Sequence, residues 1–379
     1  VMFTAVIAAL GGLLFGYDTG IIASALLFIR DDFDLSSFQQ GMVVSAVPVG
    51  AIFGAALSGQ LADRYGRRRM IMLAALLFVV GSVISALAPG ATVLILARVA
   101  IGFAIGLASA ACPVYISEVA PANVRGRLVT LFQLAVTVGI LVAYGVGLAL
   151  EPSGSWEWML ALGALPAILL GVGIAAMPQS PRWLVMIGDS VRARHELLKL
   201  RPDVDGVDDE LREIERTLSA EQGSWRDLRR PAVRAALVVG VGLAILQQVT
   251  GINTVIYYAP TIIQDTGIDS NSAAILASVG VGLVNVLATV LALWLVSRFG
   301  RRPLLFVGVT GMVVALVALG LAFEVGSGGE GLASLAVIAL MVYVGSFAIS
   351  LGPIFWLLNS EIYPLKARGR AAGVGTMAN

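Results

Sequence analysis

The feature that most constrains this chain is a recurrence of unbroken apolar runs, each long enough to cross a bilayer. A transmembrane helix needs about 20 predominantly apolar residues. Ten stretches qualify: 3–27, 40–61, 70–88, 92–117, 128–149, 158–177, 233–258, 272–296, 303–323 and 333–358. Composition agrees, since 58% of residues are hydrophobic and 13% charged, where a soluble domain carries about 25% charged residues. Membrane-spanning strands would alternate apolar and polar residues. These runs do not, so the expected fold class is an all-α membrane protein.

The connecting loops fall into two kinds. Arg64, Arg67, Arg68 and Arg69 follow span 2, Arg125 and Arg127 follow span 4, Arg298, Arg301 and Arg302 follow span 8, and Lys366, Arg368 and Arg370 follow span 10. The alternate loops carry Asp31, Asp32, Asp34, Glu151, Glu157, Asp265, Asp269, Glu324 and Glu330, with Arg30 as their single cation. The positive-inside rule then places the basic loops and the N-terminus in the cytoplasm. Segment 178–232 reads as a cytoplasmic linker with short amphipathic helices near 190–200 and 207–221, and turn signals at Pro202-Asp203 and Gly206. It separates a six-span bundle at 1–177 from a second bundle at 233–379. Cationic charge is confined to membrane flanks, which argues against nucleic-acid binding. Cys112, the one cysteine, reads as a small packing residue, and His195, the one histidine, as a solvated one. No cofactor is expected.

The two halves repeat. Asp63-Arg64-Tyr65-Gly66-Arg67-Arg68 after span 2 is matched by Ser297-Arg298-Phe299-Gly300-Arg301-Arg302 after span 8. Glu118-Val119-Ala120-Pro121 with Arg125-Gly126-Arg127 is matched by Glu361-Ile362-Tyr363-Pro364 with Arg368-Gly369-Arg370. Positive-inside charge alone does not explain the matched Gly, Pro and Glu positions. Duplicated halves around a central linker are a transporter architecture, with the substrate site between them near mid-membrane. If each half holds six spans, the second shows only four, 7 to 10. Spans 11 and 12 are then expected beyond Asn379, and without them Gln247 and Asn285 are expected to meet lipid.

Two charges lie well inside apolar spans, Asp18 in span 1 and Arg98 in span 4. A charge at mid-bilayer costs about 2.5–3.5 kcal/mol on insertion scales, so such residues face the bundle interior and usually pair. The two are expected to pair with each other, either as a static lock or as a switch. A carboxylate that alternates between arginine contact and separation can bind and release a proton. Gly12, Gly16 and Gly20 share one face of span 1 and serve either close packing or a mobile contact. Neutral amides form a second set: Gln133, Gln247, Gln248, Asn253 and Asn285. Each amide offers two donors and an acceptor, which suits sugar hydroxyls. Gly251 is a candidate helix break between them. Phe15 and Trp356 are candidate apolar faces for a sugar ring. Gly102-x-x-x-Gly106 and Gly280-x-Gly282 follow no strand and lack a Walker lysine, so nucleotide-driven transport has no support.

Taken together, these residues resemble the sugar porters of the major facilitator superfamily along essentially the whole chain. The carriers are Gly59-Gln60-Leu61-Ala62-Asp63-Arg64-Tyr65-Gly66-Arg67-Arg68, Pro178-Gln179-Ser180-Pro181-Arg182-Trp183-Leu184, and Gln247-Gln248 through Asn253 with Tyr257-Tyr258. The resemblance implies a fold of two pseudo-symmetric helical bundles and symport of a monosaccharide with a proton, in a monomer of a bacterial inner membrane. Gln133, Gln247, Gln248, Asn253, Asn285 and Trp356 match sugar-contacting positions, with Phe15 and Phe347 nearby. Tyr257 and Tyr258 match gate tyrosines, Asp18 the aspartate of proton-coupled members, and Arg98 its partner. Asp63, Arg64, Arg67, Glu118, Arg125, Arg182, Arg298, Glu361 and Arg368 match a cytoplasmic charge network. Gln179 stands where glutamate is usual and removes one charge from that network. Ile140 stands where a xylose-transporting member has a second glutamine, which favours glucose or another hexose. A passive uniporter and a non-transporting sugar sensor are the rival readings. Asp18 argues against the first, and the lack of a long soluble tail argues against the second.

Overall fold

The computed structural model describes residues 1–121, 124–201, 206–220, 231–266, 270–324, 330–363, 371, 373–375 and 378. Seventeen α-helices run through them: α1 Met2–Asp32, α2 Ser37–Tyr65, α3 Arg67–Ala86, α4 Ala91–Val119, α5 Arg125–Leu150, α6 Trp156–Ala161, α7 Ala164–Ala176, α8 Pro181–Met186, α9 Ser190–Leu200, α10 Val207–Ala220, α11 Pro231–Val249, α12 Ile252–Tyr257, α13 Ala259–Asp265, α14 Asn271–Phe299, α15 Arg301–Glu324, α16 Glu330–Ile349 and α17 Leu351–Glu361. A 3₁₀ turn, Glu151–Ser153, follows α5. Among the described residues, ten spans are long and apolar enough to cross a membrane. Seven are single helices. Span 6 is α6 plus α7, span 7 is α11 plus α12, and span 10 is α16 plus α17.

Polar side chains fix several of the helix starts. Ser36 and Gln39 form a reciprocal capping box at α2, with Gln39 Oε1 accepting from the Ser36 N–H at 3.0 Å. Ser180 caps α8 and Asp189 caps α9, at 3.1 Å each.

The first bundle closes through glycine seams. Gly12 and Gly16 of α1 face the backbone carbonyls of Phe132 and Val136 on α5, and Gly139 of α5 faces the Leu13 carbonyl in return. Gly50 and Gly54 of α2 lie on the Val99 and Phe103 carbonyls of α4, while Gly102 and Gly106 of α4 lie on those of Val47 and Ala51. A side chain at any of these positions would force two backbones apart. The α1 glycine face is therefore occupied by packing in this structure. The most apolar window of α1 is 83% buried, against 22% for α15, so α1 is central and α15 peripheral.

The bundles meet mainly through α5 and α14, and through α1 against α12 and α13. Gly147 faces Ser24 and Ile275, and Gly282 faces Tyr144 and Leu141. These contacts join the second half of α5 to the first half of α14, at the end where the acidic loops lie. At the other end, α8–α10 pack beneath the first bundle. Arg201 fastens them: its Nη2 pairs with Glu210 at 2.6 Å, and its Nη1 donates to the Val119 carbonyl at 3.0 Å, capping the C-terminus of α4.

Candidate functional site

Asp18 and Arg98 come together. Asp18 is 3% exposed in α1 and Arg98 is wholly buried in α4. Arg98 Nη1 and Nη2 donate to the two Asp18 carboxylate oxygens, each at 3.4 Å. The arginine's shorter bond is to the backbone, from Nε to the Val43 carbonyl of α2 at 2.8 Å. Charge-assisted N–H···O bonds normally measure about 2.7–2.9 Å. The carboxylate is thus held loosely, while the guanidinium keeps a tight neutral partner whether or not Asp18 is charged. That is a geometry in which a proton can replace the arginine as the partner of the carboxylate.

The second bundle reaches this pair through a broken helix. α11 stops at Val249, and Gly251 takes φ 81°, a left-handed conformation that glycine adopts without strain. α12 then begins, and Tyr257 at its end is 6% exposed. Its hydroxyl sits beside Thr19 and within electrostatic reach of Asp18 and Arg98. Thr19 itself donates to the Phe15 carbonyl at 2.8 Å. Tyr257 and Tyr258 pack in one apolar cluster with Tyr17, Ile21, Ile22 and Trp156 of the first bundle.

Three of the amides flank the same break. Asn253 Nδ2 donates to Gln248 Oε1 at 2.8 Å, so the two close on each other across Gly251. Gln247 Nε2 donates to the Leu351 carbonyl at 3.1 Å, at the base of α17. Gln247 and Asn285 are 4% and 5% exposed. The expectation that these two meet lipid is therefore not met: neighbouring helices cover both, and Gln247 has its backbone partner. Gln133 is half-buried on α5, and Asn285 sits on α14, the two helices through which the bundles meet. Trp356 is half-buried and stacks edge-to-face on Phe355, with ring centres 5.0 Å apart. Phe347 and Phe15 are half-buried beside the cores of the second and first bundles. Ile140 is buried at 4% exposure, with its backbone against Gly16 and Gly20 of α1.

Three tyrosines escaped the reading of the sequence. Tyr343 Oη donates to the Thr250 carbonyl at 2.6 Å, Tyr144 Oη to the Ile256 carbonyl at 2.8 Å, and Tyr17 Oη to the Met159 carbonyl at 2.8 Å. Each satisfies a backbone acceptor beside a break in a span, where an unpaired carbonyl would otherwise face an apolar interior. The break after α16, at Ser350, was also missed. Its signal was present as Gly352-Pro353, since Pro353 cannot donate to the carbonyl four residues before it.

At the basic-loop end, Glu118 collects several partners. Ser180 Oγ donates to it at 2.5 Å, Arg67 Nε lies 3.1 Å away, and Arg182 acts on it electrostatically. Arg67 also pairs with Asp63 at 3.0 Å. Gln179 Oε1 accepts from the backbone N–H groups of Arg68 at 3.3 Å and Ser180 at 3.4 Å. Its carbonyl therefore braces the start of α3 without a charge. Arg64 and Arg298 are exposed and stack over Tyr65 and Trp294, at 5.3 and 5.2 Å, and Arg125 is exposed at the first turn of α5. The Glu361 side chain and Arg368 lie outside the described residues.

A multi-pass helical membrane protein of two bundles, with a buried ion pair beside a broken, amide-bearing span, has the make-up of a secondary transporter. The chain belongs to the family described as sugar (and other) transporter, whose model matches residues 4–379; these are sugar porters of the major facilitator superfamily, and they are transporters rather than enzymes. The D-xylose transporter of Levilactobacillus brevis is 42% identical over 373 residues, covering 98% of this chain and 81% of that protein. The galactose-proton symporter of Escherichia coli K12 is 42% identical over 378 residues, covering 100% of this chain and 82% of that one. Among solved structures, the partially occluded inward-open form of the xylose transporter XylE from E. coli superposes with a TM-score of 0.86 at 32% identity, covering 100% of this chain and 88% of that one.

Proposed function

We propose that this chain is a proton-coupled symporter of a monosaccharide, acting by alternating access as a multi-pass protein of a bacterial inner membrane. A hexose such as glucose is favoured, with a pentose or inositol within range. The observation that carries the reading is the buried Asp18–Arg98 pair, whose carboxylate is held at 3.4 Å while the arginine keeps its 2.8 Å bond to Val43. Protonation of Asp18 discharges the pair without stranding Arg98, and α1 is released from α4. Because Tyr257 sits beside Thr19, that release is felt at once by α12.

The amides Gln133, Gln247, Gln248, Asn253 and Asn285, with Trp356, Phe15 and Phe347, form the sugar site in this reading. Tyr257 and Tyr258 gate it. The Asn253–Gln248 bond spans the Gly251 hinge, so a sugar that takes over these two amides changes the angle between α11 and α12. The positive-inside rule puts the basic loops and the N-terminus in the cytoplasm. The contacts between α5 and α14 then close the outer end. The network around Glu118, with Arg125, Arg298, Glu361 and Arg368, braces the opposite, inward-closed state. Residues 1–177 and 233–379 act as the two bundles and 178–232 as their cytoplasmic linker, in a monomer surrounded by lipid.

Uptake of a panel of labelled sugars into proteoliposomes, with and without an imposed pH gradient, tests this. Concentrative uptake of a hexose that collapses when the gradient is removed is expected. Gradient-independent equilibration would make the chain a uniporter, and no uptake of any sugar would remove transport altogether.

A further inference from the structure

Pro260 leaves a vacancy in the backbone bonding of the broken span. In a helix the Ile256 carbonyl would accept from the N–H of residue 260, and a proline has none. The carbonyl is instead satisfied from the other bundle. Tyr144 on α5 is 1% exposed and enters the apolar cluster of Ile252, Val255 and Ile256, with its ring against Gly282 of α14. Its hydroxyl donates to the Ile256 carbonyl at 2.8 Å. Gly282 has no side chain to compete with the ring for this space.

We infer that Tyr144 is a positioning residue of the transport cycle, a latch whose hydroxyl holds α12 against the first bundle and keeps the acidic-loop end closed. α12 is a six-residue segment between Gly251, at φ 81°, and Tyr258, the residue that precedes α13, so it can swing as a unit. Opening this end separates α5 from α12 and must break the Tyr144–Ile256 bond. The carbonyl then has no helical donor to fall back on. Water can satisfy it only once the cleft is open, which makes the closed and open forms discrete rather than a continuum. The other two tyrosine caps do not cross between bundles: Tyr343 and Thr250 both belong to the second, and Tyr17 and Met159 to the first.

This inference rests on the alternating-access reading, but its test does not require transport. Spin labels at Ser153→Cys and Asp265→Cys, both exposed at the acidic-loop end and on opposite bundles, report its opening by pulsed dipolar distance measurement in lipid nanodiscs. Cys112 is fully buried and stays unlabelled. Tyr144→Phe keeps the ring and removes the latch, so the ratio of open to closed distances should rise about tenfold, the factor that about 1.4 kcal/mol gives. Tyr17→Phe deletes an equally buried hydroxyl that also donates at 2.8 Å to a carbonyl at a break, but within one bundle, and should leave the distances unchanged. An unaltered distribution in Tyr144→Phe, or an equal shift in both variants, overturns the latch. Failure of the transport reading would show separately, as absent sugar uptake by the unsubstituted protein.

Discussion

Replacing Asp18 by Asn separates the two duties of the buried pair. The substitution is nearly isosteric and fixes the side chain as neutral. Arg98 cannot respond by losing its own charge, because a guanidinium stays protonated. Removing one partner of a buried ion pair typically costs about 3–5 kcal/mol. Here the cost should be lower, about 1–3 kcal/mol, for two reasons visible in the structure. The bond from Arg98 Nε to Val43 at 2.8 Å survives, and the lost contacts are long ones at 3.4 Å, one of which the Asn carbonyl can still accept. The variant should therefore fold. Its transport should change in kind. A proton-motive force of about 100 mV is worth about 2.3 kcal/mol per charge moved, which supports roughly a 50-fold sugar gradient. In proteoliposomes Asp18→Asn should lose all such accumulation, yet still exchange labelled for unlabelled sugar in counterflow. Accumulation above the external concentration by the variant would show that Asp18 does not couple the proton. Loss of counterflow in a monodisperse variant would show that the pair serves structure alone.

Gln248→Ala should weaken sugar binding by about 1–3 kcal/mol, or roughly 5- to 150-fold in Kd by calorimetry. Because Asn253 donates to Gln248 at 2.8 Å, adding Asn253→Ala should cost clearly less than it does alone, and strict additivity would contradict the contact. Gly16→Ala places a methyl on the Val136 carbonyl and should destabilise the first bundle by about 1–3 kcal/mol, read as a lower thermal midpoint. Gly59→Ala meets nothing within 4 Å and should leave that midpoint unchanged or slightly raised.

The ten spans were legible because hydrocarbon imposes one simple demand, a long apolar helix, and each span answers it locally. The breaks were less so. Gly251 announces itself through a Gly between amides. Ser350 was hidden in an apolar run whose Gly352-Pro353 carries the signal one turn later. The division of span 6 at Leu162–Gly163 carries a similar marker in Gly163 and Pro166, and there the Gly163 N–H turns back to Leu160, leaving Met159 to Tyr17. Buried charges were legible as types, so Asp18 and Arg98 could be matched by elimination. The Val43 carbonyl that anchors Arg98 could not, since a backbone acceptor leaves no trace in sequence. The same holds for Tyr144: one tyrosine among apolar residues reads as packing until the tertiary fold shows what its hydroxyl faces. The expectation for Gln247 and Asn285 failed because it assumed that spans beyond the tenth alone could cover them, when α17 already supplies the Gln247 partner.

The glycine seams of the first bundle have a mechanical consequence. Where α1 meets α5 and α2 meets α4, backbone rests on backbone, with no long side chains to act as bearings. Such seams resist sliding and rotation, so each of the two helix pairs behaves as one solid unit, and the Asp18–Arg98 pair ties α1 of one to α4 of the other. The second bundle is built the other way, with two of the four spans described for it interrupted, at Gly251 and at Ser350, and with Gln247 bonded from one interruption to the other. The transporter therefore resembles an anvil and a jointed arm more than a pair of equal jaws. In the proposed cycle, release of the Asp18–Arg98 pair acts on this jointed arm, and motion should concentrate in the two joints that share the Gln247 amide.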